Sequence, residues 1–128
     1  MAFDEVTEQV LSACFEVSNE LGIGFQDSVY RSALLVALKE KGLEVQTQVP
    51  LEVWFRQQSV GEFCADLLVE GQLLVELKAM KNLAASHANQ VLNCLRLTGL
   101  SIGLLVNFGA AGLDFRYLEN RVDLLVAP

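Results

Sequence analysis

The chain has 128 residues, with sixteen acidic against nine basic side chains and a formal charge of −7. An apolar fraction of 52% excludes disorder, and no apolar run approaches the roughly 20 residues needed to span a bilayer. The acidic balance argues against non-specific coating of nucleic acid, which depends on neutralising phosphates, but it leaves room for a local site.

In chain order, Val6, Val10, Cys14, Val17 and Leu21 recur at helical spacing and stop at Gly22. This first helix carries much of the acid: Asp4, Glu5, Glu8, Glu16 and Glu20 with no base before residue 21. It would have to face away from any polyanion. Met1-Ala2-Phe3-Asp4-Glu5 lacks the basic start of a secretory signal. Cys14, Cys64 and Cys94 are odd in number and widely spaced, so they are expected to be buried thiols of a reduced, cytoplasmic protein.

After the Gly22-Ile23-Gly24 joint, a second helix is predicted over Asp27 to Lys41, with Tyr30, Leu34, Leu35 and Leu38 on its apolar side. Strands follow at Val45–Phe55, Val60–Val69 and Gln72–Lys78. A third helix spans about Ala84 to Leu97, packing through Ala84, Ala88, Val91, Leu92 and Leu95, and ends at Gly99. The apolar run Ile102–Val106, within a strand from Ser101 to Asn107, points to burial on both faces. Phe115–Leu118 and Val122–Val126 are expected as edge strands or a closing hairpin. The order α-α-β-β-β-α-β implies one mixed α/β domain over residues 1–128, with helices against a sheet and one right-handed crossover.

Within these strands, Asp66, Glu76 and Lys78 stand in apolar surroundings. Charges buried in a sheet are costly unless paired or bound to a metal. Two carboxylates followed by a lysine suit a divalent cation and phosphate chemistry, while a buried Asp/Glu–Lys ion pair would account for the same residues. Glu76 and Lys78 share a strand face. Asp66 joins them only if the turn is Glu70-Gly71-Gln72 with Gly71 left-handed, which sets Asp66 opposite Glu76. Matching the rows Phe63, Ala65, Leu67, Val69 and Leu73, Val75, Leu77, Ala79 asks for that same register.

With Glu16-Val17, Glu20-Leu21-Gly22-Ile23-Gly24, Gly24-Phe25-Gln26-Asp27-Ser28-Val29-Tyr30, Gly61-Glu62-Phe63, Val75-Glu76-Leu77-Lys78-Ala79 and Leu97-Thr98-Gly99-Leu100, the chain resembles the PD-(D/E)xK nuclease superfamily. More closely, it resembles the small GxxExxY proteins within that superfamily. Asp27 stands at the signature glutamate, Ala65 at the usual proline, and Cys94 at the tyrosine of QxxxY after Gln90. The resemblance implies a restriction-endonuclease-like core and a nuclease dependent on Mg²⁺ or Mn²⁺, acting on DNA or RNA. In that reading Asp66, Glu76 and the Leu77 carbonyl hold the ion, Lys78 is the base or electrostatic stabiliser, and Asp27 and Gln90 support them.

The residues leave other readings standing. Asp27 lies where an N-cap is expected. Tyr30 is expected in the core, His87 at a helix start, Glu62 at the rim of the site, and Trp54 in the core or an interface. Lys81 and Arg96 are expected in solvent, with local positive potential as their alternative role. The competing function is a non-catalytic, nuclease-fold accessory protein with a protein partner, and homodimerisation is compatible with either function.

Overall fold

Val6, Val10, Cys14 and Val17 lie on one side of helix α1 (Phe3–Leu21), and all four are buried in the computed structural model, which describes residues 3–120. Leu21, the last member of that periodic row, is instead exposed at the helix end. Helix α2 (Asp27–Glu40) buries Tyr30, Leu34, Ala37 and Leu38, with Leu35 only partly covered.

Strands β1 (Val45–Phe55), β2 (Gln58–Val69), β3 (Leu73–Lys78), β4 (Ile102–Asn107) and β5 (Asp114–Glu119) form one sheet in sequence order. Helix α3 (Ala85–Thr98) makes the crossover between β3 and β4, which is the single parallel pair among the described residues. The remaining neighbours are antiparallel. The possible strand at Val122–Val126 lies outside the described residues.

Helices α1 and α2 cover one face of the sheet, packing on Leu67, Val69, Leu73, Val75, Leu77, Leu104 and Val106. Helix α3 covers the other face through Val91, Cys94 and Leu95, which meet Ala65, Leu74 and Leu105. Strand β4 therefore contributes to both cores, in agreement with its continuous apolar run. One member of the predicted α3 packing row fails, since Ala84 is exposed; Cys94, outside that row, is packed with it as a buried thiol. Of the three thiols, Cys14 and Cys94 are buried, but Cys64 is exposed on the outer part of β2.

The alternation expected along β2 also breaks. Leu67 and Val69 face the α1–α2 core, whereas Ala65 and Phe63 pack against the α3 core. Strand β1 changes sides at the same level, since Val45 packs with the first core while Val49 and Leu51 pack with the second. The cause lies at Gln48, whose φ is +48°. Thr47–Leu67 and Val49–Ala65 pair on either side of it, but Gln48 and Asp66 themselves do not pair. This local distortion re-aims the outer ribbon. At the ribbon's far end Trp54 is exposed, contrary to a place in the core.

The ends of β3 and β4 are pinned together. Asn107, fully buried, accepts the Met80 N–H at 3.0 Å and donates to the Met80 carbonyl at 2.8 Å. A Cβ on Gly109 would lie 2.3 Å from Met80 N and 2.5 Å from Met80 O. That backbone cannot retreat without breaking the Asn107 bonds. Gly109→Ala is therefore expected to destabilise the protein by about 1–3 kcal/mol in equilibrium chemical unfolding; an unchanged midpoint would contradict the clamp.

Candidate active site

The turn after β2 is the three-residue Glu70-Gly71-Gln72, with Gly71 at φ +64° and Glu70 also left-handed at +54°. Gly71 adopts that conformation without a Cβ penalty. Glu70 is tied to the start of β1: its N–H donates to the Glu44 carbonyl, and its carboxylate accepts the Glu44 N–H. The turn pairs Val69 with Leu73, Leu68 with Leu74 and Leu67 with Val75. Continued by one residue, this register sets Asp66 opposite Glu76, as the apolar rows near the turn require.

At that level side chains replace the backbone ladder. The Leu77 N–H donates to Asp66 Oδ2 at 2.8 Å, and the Asp66 N–H donates to Glu76 Oε1 at 3.1 Å. Each acid thus satisfies a backbone donor on or beside the other, which fixes both carboxyl groups where the two strands part. Because the N–H and C=O of one strand residue point the same way, the Leu77 carbonyl also faces this gap.

Glu76 is only 4% exposed. Burial, followed by the negative charge of Asp66, pushes its carboxyl up from 4.5 to about 8. The Asp66 backbone N–H and the Lys78 charge oppose that rise, while a side-chain hydrogen bond with Asp66 adds to it. Lys78 is half-buried two residues further along β3, and among the described residues its ammonium makes no hydrogen bond or ion pair. Asp66 and Glu76, with Lys78 beside them, therefore come together as the strand spacing indicates.

The remaining partner of Asp66 is absent from the sequence-based site. Arg31 of α2 donates from Nη1 to Asp66 Oδ1 at 3.1 Å, with both side chains largely covered. Its only sequence signal is weak: it lies beside buried Tyr30 and one turn after Asp27. Asp27 itself is exposed and makes no polar contact with Asp66 or Glu76. It is not the N-cap either. Gln26 holds that position without a side-chain cap, and Asp27 opens the first helical turn, where its charge complements the helix dipole.

Tyr30 is a core residue, stacked on Phe108 with ring centres 4.8 Å apart. Its hydroxyl donates to the Gly22 carbonyl at 2.6 Å and so ties down the α1–α2 joint. Gln90 is exposed on α3 at the edge of a cavity of about 350 Å³, shared with Val53, Phe63, Asn93 and Cys94. Cys94 connects that cavity to the acids: burial and then the Glu76 charge push its thiol up to about 12. His87 closes the start of α3, where Nδ1 accepts the Ala84 N–H. Glu62, Lys81 and Arg96 are exposed.

Two hard carboxylates and an inward-facing carbonyl match the oxygen donors preferred by Mg²⁺, which commonly binds one or two carboxylates and completes its shell with water and phosphate. A cation there would also relieve the cost of the buried Glu76 charge beside Asp66. Among the described residues no group of three or more His, Cys, Asp or Glu side chains forms a metal cluster, so an all-protein cage is not the arrangement offered.

Several solved structures share the fold, SSO0001 and an alkaline exonuclease among them. The crystal structure of SSO0001 has a TM-score of 0.59 at 16% identity, covering 73% of this chain and 50% of that chain. Against SSO0001, then, the chain spans half of the neighbour's length. An alkaline exonuclease (LHK-Exo) from Laribacter hongkongensis has a TM-score of 0.58 at 13% identity, covering 97% of this chain and 73% of that chain. No curated protein sequence matches. The sequence profile of the PD-(D/E)XK nuclease superfamily spans residues 4–118, and with the mixed sheet, crossover helix and facing acids described above, the chain belongs to that superfamily.

Proposed function

We propose that this protein is a metal-dependent nuclease that hydrolyses phosphodiester bonds in DNA or RNA. The observation that carries the reading is the opposition of Asp66 and Glu76 across the parting of β2 and β3, with Leu77 and Lys78 beside them. Asp66, Glu76 and the Leu77 carbonyl hold Mg²⁺ or Mn²⁺. When bound, such an ion neutralises charge on the phosphate and makes water a better nucleophile. Lys78 orients the attacking water, takes its proton, or stabilises the charge that builds on the phosphate. Gln90, at the mouth of the neighbouring cavity, supplies an amide to the substrate. Asp27 shares a side of α2 with Arg31 and supports the site from there.

Within the superfamily, we infer that the chain belongs with the GxxExxY proteins. Supporting this is the Gly24–Tyr30 segment, where the Tyr30 hydroxyl accepts the Phe25 N–H and closes the joint leading into α2. A second reading, a non-catalytic accessory protein with a protein partner, draws on the Arg31–Asp66 ion pair, which already supplies one positive charge to the acids.

Calorimetry with Mg²⁺ and Mn²⁺ separates the two. The nuclease reading expects binding by the wild type that Glu76→Ala abolishes. It also expects proton release, with affinity rising from pH 6 to 8, because the ion must displace the proton that the raised Glu76 carboxyl retains. No Glu76-dependent binding, even with nucleic acid present, favours the accessory protein.

A further inference from the structure

Arg31 occupies an unusual position for a structural ion pair. Its guanidinium bonds the oxygen of Asp66 that the Leu77 N–H leaves available, Oδ1 against Oδ2. A cation held by Asp66 would compete with Arg31 for the same carboxylate and would repel it. The guanidinium has four further N–H donors in a planar fork suited to phosphate. Its side chain remains 24% accessible, so the head is not sealed in the core. The displaced group would therefore lie beside the place where the phosphate of a nucleic acid must sit.

We propose that Arg31 is a positioning residue shared between two partners: it locks Asp66 before the metal binds, and it grips the substrate phosphate afterwards. Metal and nucleic acid would then reinforce one another through Arg31. The metal frees the guanidinium for phosphate, and phosphate keeps the guanidinium from returning to Asp66. Such coupling is reciprocal, so it can be read from either ligand. The inference rests on the nuclease reading of the same site.

The test titrates Mg²⁺ into wild type, Arg31→Ala and Arg31→Lys, each alone and with phosphorothioate-linked oligonucleotides of DNA and of RNA. In wild type, at least one oligonucleotide should tighten Mg²⁺ binding by about tenfold, within the usual range for coupled sites. Arg31→Ala should bind Mg²⁺ more tightly than wild type when no oligonucleotide is present, because the competitor is gone, yet lose most of the tightening. Arg31→Lys keeps the charge without the fork and should recover only part of it. Thermal melts of the three proteins check that each is folded, and Arg31→Lys keeps the test open if Arg31→Ala is not. Weaker Mg²⁺ binding by folded Arg31→Ala alone, or coupling equal to wild type in either folded variant, overturns the proposal. Absence of Mg²⁺ binding by wild type overturns the nuclease reading itself, and this inference with it; normal wild-type binding with unaltered coupling in the variants overturns only the role of Arg31.

Discussion

Glu76→Gln and Lys78→Ala are each expected to lower phosphodiester cleavage by roughly 10²–10³-fold or more, the scale seen when one preorganised electrostatic group is removed from an active site. Glu76→Gln keeps an oxygen that can accept the Asp66 N–H, so the parting of the strands should survive while the charge is lost. Asp66→Asn is a harsher change. It can preserve the Leu77 N–H bond but removes the charge that holds Arg31. The single losses should not add, because the two acids would act on one ion. Cleavage assays with Mg²⁺ and with Mn²⁺ measure the effect. Robust cleavage by the Asp66→Ala/Glu76→Ala double variant would reject the mechanism.

The metal-free protein should lose stability between pH 5 and pH 8. Burial and the Asp66 charge raise the Glu76 carboxyl from 4.5 to about 8. Between these values the unfolded chain has released its proton and the folded chain retains one, so protonation favours folding. That contribution is complete below the lower value and is lost as pH rises through the upper one. The slope attributable to this group is at most about 1.4 kcal/mol per pH unit. Denaturant unfolding in the presence of chelator should therefore show a steeper decline for wild type than for Glu76→Gln. Parallel pH profiles for the two proteins would count against the buried acid as the source. At pH 8 the Gln variant should be the more stable protein, even though it is expected to cleave poorly.

Much of this fold was legible because its apolar periods are strong. Val6, Val10, Cys14 and Val17 specified α1, and the run from Ile102 to Val106 specified a strand buried on both sides. The Asp66–Glu76 opposition was legible for a more demanding reason: the apolar rows near the turn and the Glu70-Gly71-Gln72 loop ask for one parity. Beyond Asp66 the apolar rows no longer indicate the face: Ala65 lies on the α3 side, and no periodicity announces the positive φ of Gln48 at that level. Arg31 was missed because its contact with Asp66 spans 35 positions and depends on how α2 lies across the sheet. A surface helix with a single arginine gives no sign of that. Cys94, outside the predicted packing row of α3 but expected as a buried thiol, does enter the core.

The short turn between β2 and β3 has a consequence for the order of assembly. Closing so small a loop costs little chain entropy, so the two acids can meet as soon as the hairpin forms. The parallel pairing of β3 with β4 must await the whole α3 crossover, and the guanidinium of Arg31 arrives only with the packing of α2. The mutually repelling carboxyl groups are thus juxtaposed by a local hairpin contact, while the charge that eases their proximity comes from a distant one. Early on, the hairpin would have to be held by Leu73, Leu74 and Val75 against their partners on β2.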